Sequence, residues 1–556
     1  MKRVLIVGGA GVFGRRLALG LIASSDAHVT LAGRSLARAQ DAARAVGAAD
    51  AIALDRETAT ADTVRATRVD LVIDAAGPFQ GADLRFARAV IEAGANYLDL
   101  ADARDFVAAF PGLDALARAN GVAAITGASS TPALTHAVLA RVCAGWGRID
   151  SIRAGIAPAT QMERGPAVMK AILSWTGAPV LVFEDGAWRT RGGWSNCGAI
   201  DAPLIGRRRY ALAEVPDLDL IPAHYAPRDG AIFAAGLELP IMQRGMEMIS
   251  ALKRWGGLHN LSWLADPLRI LGDWLRPFGS DRGGMVVEAL GRDREDRPAY
   301  ARWTMFAPDG LGPYTPTFAA LILARRFVRG EALPPGARAC VGMVDLEEFA
   351  PEFGRHGFTT LIDAAQLGSP FELALGDAFE TLAPAVRAAH RAGPVTRMRG
   401  IAEVRSATSP LAAFIAALFG LPRADAPVEV AVVKRLGPDK EVWTRRFSGK
   451  RMESRLCVVG PGVVSERFGP FSFDMKVAAE KGTLTMSIIG WRIGPLRLPS
   501  WLAPRSTATE SQDAEGRFRF DVPIALPLIG RLTHYSGWLA PEAVEPAPAP
   551  TQREDA

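Results

Sequence analysis

Cysteine is scarce in this sequence: four in 556 residues, Cys143, Cys197, Cys340 and Cys457, far apart and in no CxxC or Cys/His spacing. That excludes a disulfide-built scaffold and any metal site legible from ligand spacing, and the seven scattered histidines add none. Long apolar runs are missing too. No stretch reaches the roughly 18 residues a transmembrane helix needs, so none is expected. Met1-Lys2-Arg3 opens like a secretion leader, but the apolar run breaks at Gly8 and meets Arg15 and Arg16 where a cleavage site belongs. A reduced, cytoplasmic protein is the expectation. Charge of one sign is also lacking, with 64 basic residues against 59 acidic ones and a net +5. Such a balance leaves no nucleic-acid footprint, and the Arg207-Arg208-Arg209 cluster is too short to change that. At this length one hydrophobic core does not suffice, and two or three domains are expected.

What the chain does have begins at once. Val4-Leu5-Ile6-Val7 is a short aliphatic run suited to a strand buried on both faces of a parallel sheet. It enters Gly8-Gly9-Ala10-Gly11-Val12-Phe13-Gly14, which satisfies G-x-G-x-x-G through Gly9, Gly11 and Gly14, and a helical pattern (Leu17, Leu21, Ile22) follows. The glycines allow a tight turn, close approach of backbone to a pyrophosphate and close helix–strand packing, and the helix start offers amides to the phosphates. The next strand, His28 to Ala32, ends in Gly33-Arg34-Ser35. An NAD-binding domain usually carries an acid here for the ribose 2′-hydroxyl, and this sequence has none. Arg34 can pair with a 2′-phosphate and Ser35 can add a hydrogen bond, so NADP is the expected cofactor, with NAD second; the alternative is that Arg34 only faces solvent. Further strands are expected at Ala51–Asp55, with Asp55 in reach of the adenine side, at Asp70–Ala75, at Tyr97–Asp102 and at Val122–Thr126. Strands alternating with helical segments imply a doubly wound sheet over residues 1–130, a Rossmann domain, whose ligands bind beyond the carboxyl ends of the strands.

The stretches Gly8 to Gly14, Leu31-Ala32-Gly33-Arg34, Ala75-Ala76-Gly77-Pro78-Phe79 and Tyr97-Leu98-Asp99-Leu100-Ala101-Asp102 resemble the saccharopine dehydrogenase-like oxidoreductases. Ser280 to Met285 and Asp309 to Thr315 extend the resemblance to about residue 350. It implies hydride transfer at a nicotinamide, with Ala76, Gly77 and Pro78 along the nicotinamide-ribose side and Asp99 and Asp102 facing the substrate cleft. It does not fix a substrate; Arg282 is the one candidate for a carboxylate-binding group, with a surface role as its alternative. The short-chain dehydrogenases are excluded, since none of the six tyrosines has a lysine four residues on. Asp102, Asp99 and Tyr97 are the groups at the expected strand end that could move a proton, and each could equally be a cap or a structural residue.

Beyond Thr131 the rhythm changes to an α+β pattern over residues 131–355, expected to supply a substrate wall and a dimer surface. Strands are expected at Ser151–Ile156, Pro179–Glu184 and Ala299–Phe306, and helices near Pro166–Trp175 and over Thr317–Arg329. The apolar stretch Leu258 to Phe278, with Trp263, Trp274 and Phe278, reads either as core or dimer-interface helices or as a patch in peripheral contact with lipid. A third, β-rich region spans 370–541. It has helices at Phe371–Arg391 and Pro410–Phe419, then strands from Val428 to Val522, expected as a curved antiparallel sheet closed by the two helices. Its end, Arg517 to Leu539, resembles an uncharacterised bacterial domain found behind saccharopine dehydrogenase-like chains. Such a sheet encloses either a solid core or a cavity for an apolar ligand. The tail 542–556, rich in Pro and Ala, is expected to be disordered. Together these features point to an NADP(H)-dependent oxidoreductase for a small molecule with C–N or C=O chemistry; the alternative is a non-catalytic NADP-sensing or apolar-ligand-binding protein.

Overall fold

Aliphatic residues with no polar alternation must be covered on both faces, and Val4, Leu5, Ile6 and Val7 are all buried in the computed structural model. The structure describes residues 1–162, 166–256, 261–423 and 427–542. The expected tail lies almost wholly outside the described residues.

The strands β1 (Arg3–Val7), β2 (His28–Gly33), β3 (Asp50–Ala53), β4 (Leu71–Asp74), β5 (Asn96–Asp99) and β6 (Ala123–Thr126) all form, in the spatial order β6-β5-β4-β1-β2-β3. Every pairing is parallel. A seventh strand, Gly336–Ala339, returns from far along the chain to pair with β6, so this sheet draws on residues outside 1–130. The order reverses between β1 and β4, and the helix α1 (Val12–Ile22) leaves from that point.

The middle region is a mixed sheet in the order Asn196–Ala202, Gly206–Leu212, Gly230–Ala235, Trp146–Ala157, Gly283–Asp293, Pro298–Ala307, Thr359–Gln366, with the hairpin Pro179–Glu184/Ala187–Gly192 attached at one side. The helix Thr315–Val328 lies against α1: a Cβ on Gly20 would meet Leu321 at 2.7 Å, and Arg325 donates to Ser24 and to the Gly20 carbonyl. One continuous hydrophobic core therefore runs from β1 to Phe358. A second tie is Arg104, which reaches across from just beyond β5 to Asp219 (2.7 Å) and the Leu181 carbonyl (2.7 Å). The core reading of the Leu258–Phe278 stretch is corrected. Its helix, Ala265–Leu275, buries only Ala265 and Gly272, while Trp263, Trp274 and Phe278 face outward; Leu258 lies outside the described residues. Among the described residues no helix is long and apolar enough to cross a membrane.

In the last region the expected Phe371–Arg391 helix is three short pieces, Pro370–Leu375, a 3-10 turn at Gly376–Thr381 and Pro384–His390, because Gly376 takes a positive φ and Pro384 starts a new first turn. Among the described residues ten antiparallel strands build the wall, Val395–Arg405, Pro427–Leu436, Glu441–Phe447, Lys450–Gly460, Val463–Phe468, Phe471–Glu480, Thr483–Ile493, Thr507–Gln512, Phe518–Leu526 and Gly530–Pro541, with the two-residue strand Leu496–Arg497 paired to the end of Thr483–Ile493. Each of the ten pairs with the next. The last also pairs with the first, so the sheet closes on itself as a barrel rather than being closed by helices. Closure removes both edges. Arg397 and Arg435 fix the barrel to the middle region through Asp229, Arg435 at 3.0 Å.

Candidate active site

The site is built where the strand order reverses. Gly8 (φ +77°) turns the chain out of β1; a Cβ there would stand 2.8 Å from the backbone of Ala75 and Ala76, so only glycine lets this loop lie against the exit of β4. A Cβ on Gly14 would lie 2.3 Å from the Gly8 carbonyl oxygen, and one on Gly9 2.9 Å from Leu31. The side-chain-free cradle is therefore enforced from three directions. Gly11 caps α1 without a side-chain hydrogen bond and the first turn carries no acid, which leaves the amides at Val12, Phe13 and Gly14 open to an anion. These residues fit a dinucleotide pyrophosphate.

At the end of β2, Arg34 is exposed and has no hydrogen bond or ion pair among the described residues. Ser35 caps the helix Leu36–Val46 by accepting the Arg38 amide at 3.4 Å, which leaves its hydroxyl proton free to donate. Asp55 sits on the neighbouring strand end, where it accepts the Glu57 amide (3.1 Å) and shapes the turn after β3. Ala76, Gly77 and Pro78 form the β4 exit, with Gly77 and Pro78 exposed.

Arg56 is a residue that sequence reasoning missed. Nearly buried, it donates to the Ala76 carbonyl (2.8 Å), pairs with the buried Asp74 (3.2 Å) and lies over the Phe79 ring (4.8 Å). It holds the β4 exit loop from beneath. Its only sequence signal was a cation directly after a strand end, too common to single out.

The three proton-transfer candidates separate. Tyr97 is buried behind the sheet, stacked on Phe110 (5.8 Å), with its hydroxyl 3.5 Å from Asp74. Asp99 is also fully buried: one oxygen accepts the Ala101 amide (2.9 Å), the Thr126 hydroxyl (2.9 Å) and the Gly127 amide (2.7 Å), so it stitches the exits of β5 and β6 together. Burial pushes its carboxyl up to about 7 against those hydrogen bonds. Asp102 alone reaches the open edge. It is exposed, yet neighbouring protein raises its carboxyl above the ordinary range, opposed by the Gln80 amide, which donates to it at 3.1 Å.

Beyond the β6 exit, at the start of the next helix, His136 lies 3.7 Å from Asp217. Both are buried; neither ring nitrogen has a hydrogen-bond partner among the described residues, while the Thr135 and Thr131 hydroxyls face the Asp217 carboxylate. Burial, with His224 nearby, drops His136 to about 3, and burial lifts Asp217 to about 7. The residues are 81 positions apart, which no motif scan connects. Farther along, Arg282 is exposed at an open polar hollow of about 650 Å³ floored by Glu238. Burial would raise Glu238, but hydrogen bonds from Ser280 and Thr160 outweigh it and hold the carboxylate ionised.

Two family models match parts of the chain. Residues 4–140 match the saccharopine dehydrogenase NADP binding domain, and residues 382–539 match a domain of unknown function, DUF4166. No curated protein matches the sequence. Solved structures that resemble it include a saccharopine dehydrogenase (L-Glu forming) from Saccharomyces cerevisiae, 14% identical over 66% of this chain and 100% of that one, TM-score 0.47. GenD2 from gentamicin A biosynthesis, in complex with NAD, is 17% identical over 52% of this chain and 70% of that one, TM-score 0.27. A dehydrogenase from Chromobacterium violaceum is 10% identical over 64% and 92%, TM-score 0.31.

Proposed function

Since residues 4–140 are a nucleotide-binding domain of the saccharopine dehydrogenase kind, we propose that the protein is an NADP(H)-dependent oxidoreductase acting on a C–N or C=O bond of a small metabolite. The observation that carries this reading is the glycine cradle at the reversal of strand order, with an unpaired Arg34 where an NAD-binding domain would place an acid. Bound nicotinamide supplies the hydride donor or acceptor.

The chain supplies the rest. Val12, Phe13 and Gly14 offer amides to the pyrophosphate, and Arg34 and Ser35 meet the 2′-phosphate. Gly77 and Pro78, braced by Arg56, form the wall beside the nicotinamide ribose. Asp102 exchanges the proton with the substrate. Neighbouring protein raises its carboxyl above the ordinary range. Gln80 orients it. Asp99 and Tyr97 are positioning residues, holding the strand exits from which Asp102 projects.

The test is titration of NADPH and NADH into the purified protein and into Arg34→Ala. Tighter NADPH binding that the variant erases supports the reading. Binding of neither nucleotide overturns it. Tight NADPH binding without oxidation on panels of imines, ketones and aldehydes replaces the oxidoreductase with a nucleotide sensor.

A further inference from the structure

The barrel of residues 395–541 is hollow. Its strands alternate, and the inward set from Val430, Val432, Phe447, Met452, Met486 and Phe520 encloses a cavity of about 370 Å³. That volume lies within the roughly 300–1,000 Å³ of small-molecule sites, and the walls are almost wholly aliphatic, thioether and aromatic. An empty cavity of this size forgoes packing contacts along its whole lining.

Register separates the two ends of the barrel. At one end of the strand Val395–Arg405, Thr396 pairs with Lys434; at the other, Arg405 pairs with His534, two residues from Leu532. The Lys434 end holds the charges. Lys434 lies 3.7 Å from Glu441 and 3.4 Å from His390, whose other ring nitrogen bonds Glu510. Arg445 donates to Glu466 (3.1 Å) and to Ser454 (2.8 Å). Every buried cation here already faces a carboxylate, so no unmatched positive charge awaits an acid. Tyr535 lines the same cavity, and burial pushes its phenol up to about 12, keeping it a neutral donor. At the Leu532 end the helix Pro410–Leu418 packs on the barrel through Ala412 and Ala416 against Leu532, and Leu418 both lines the cavity and is 71% exposed. The mouth is there.

We propose that this cavity is a binding site for a neutral, largely hydrocarbon molecule that enters beside the helix Pro410–Leu418 and presents an uncharged oxygen to Tyr535. A charged head group is disfavoured, because a carboxylate would lie among Glu466 and Glu510 with no free cation to meet it. This site is independent of the nucleotide site.

The test uses the full chain and the neutral probe N-phenyl-1-naphthylamine, displaced by dodecan-1-ol or by dodecanoate at pH 8. Saturable probe binding is expected, with the alcohol displacing it at least about ten-fold more effectively than the carboxylate. Two variants fill the space: Met486→Trp inside and Ile415→Trp at the mouth. The second replaces a half-buried residue on the covering helix, so it keeps the test alive if the first fails to fold. A folded filling variant, its melting transition intact, should bind the probe at least about ten-fold more weakly. Tyr535→Phe should weaken the alcohol while leaving the probe unchanged. Absence of saturable binding, equal or better displacement by dodecanoate, or wild-type probe affinity in a folded filling variant each overturns the proposal.

Discussion

The glycine edge of residues 4–140 and the barrel of residues 395–541 both surround space for a ligand, but they do so with different parts of the chain. At the glycine edge the contacts come from backbone, and side chains are conspicuous by removal: Gly8, Gly9 and Gly14 are places where one more carbon collides with the protein itself. In the barrel the lining is side chain, contributed one to five residues at a time by ten strands and by three helices. The first site is local in sequence and intolerant of a single added methyl group. The second is dispersed over the whole barrel, so no short stretch of sequence defines it.

The sharpest way to break the comparison is Gly14→Ala. Its new carbon must displace the Gly8 carbonyl from 2.3 Å, so NADPH binding should fall below detection by calorimetry, while probe binding in the barrel stays at the wild-type level. Loss of both would show that the two regions fold as one unit. Next in size is Asp102→Asn. It should cost roughly 10²- to 10⁴-fold in kcat for any substrate the enzyme turns over, with NADPH affinity unchanged. A kcat within a factor of two of wild type would remove Asp102 from proton transfer. Smaller is Arg34→Ala: loss of charge-assisted hydrogen bonds worth about 1.5–3 kcal/mol should reduce NADPH affinity by about 10- to 150-fold and leave NADH untouched. Equal loss for both nucleotides would mean that Arg34 supports the strand end and not the 2′-phosphate.

The same contrast explains what the sequence disclosed. The glycines, the Arg34 position and six parallel strands were readable because each signal fits within a strand and the turn that follows it. Strand Gly336–Ala339 was not readable as part of that sheet, since its partner β6 lies about 210 residues earlier and four residues carry no address. Asp102, Asp99 and Tyr97 looked alike in sequence; only the direction each side chain takes from the β5 exit separates the exposed group from the two buried ones. In the barrel, Val428, Val430 and Val432 announced an inward face, but the same face continues into Lys434, where polarity argues for solvent. Closure of ten strands overrides that local signal, because the partners Glu441 and His390 arrive from elsewhere in the chain.

Each region also buries a histidine with a carboxylate, and here the comparison can be sharpened by pH. In the barrel, His390 is hydrogen-bonded to Glu510 and approached by Lys434. Behind the nucleotide edge, His136 and Asp217 stand 3.7 Å apart, too far for a hydrogen bond to each other, and only the Thr135 and Thr131 hydroxyls face the carboxylate. For Asp217 the folded state raises the carboxyl to about 7, so the folded chain favours its protonated form; that stability is complete below the ordinary carboxylate range and is lost as pH rises towards 7. For His136 the folded state lowers the imidazole to about 3; that stability is complete above about 6.5 and is lost as pH falls towards 3. The two windows overlap and oppose each other, so wild-type melting temperature should vary little between pH 5 and pH 7 on their account. Asp217→Asn removes one arm only: its melting temperature relative to wild type should be higher at pH 8 than at pH 5, by a few degrees. A variant that melts lower than wild type by the same amount at both values would mean that the Asp217 charge is not penalised by burial. The pair would then be an ion pair like those in the barrel, and the two regions would be alike in how they bury a histidine with a carboxylate.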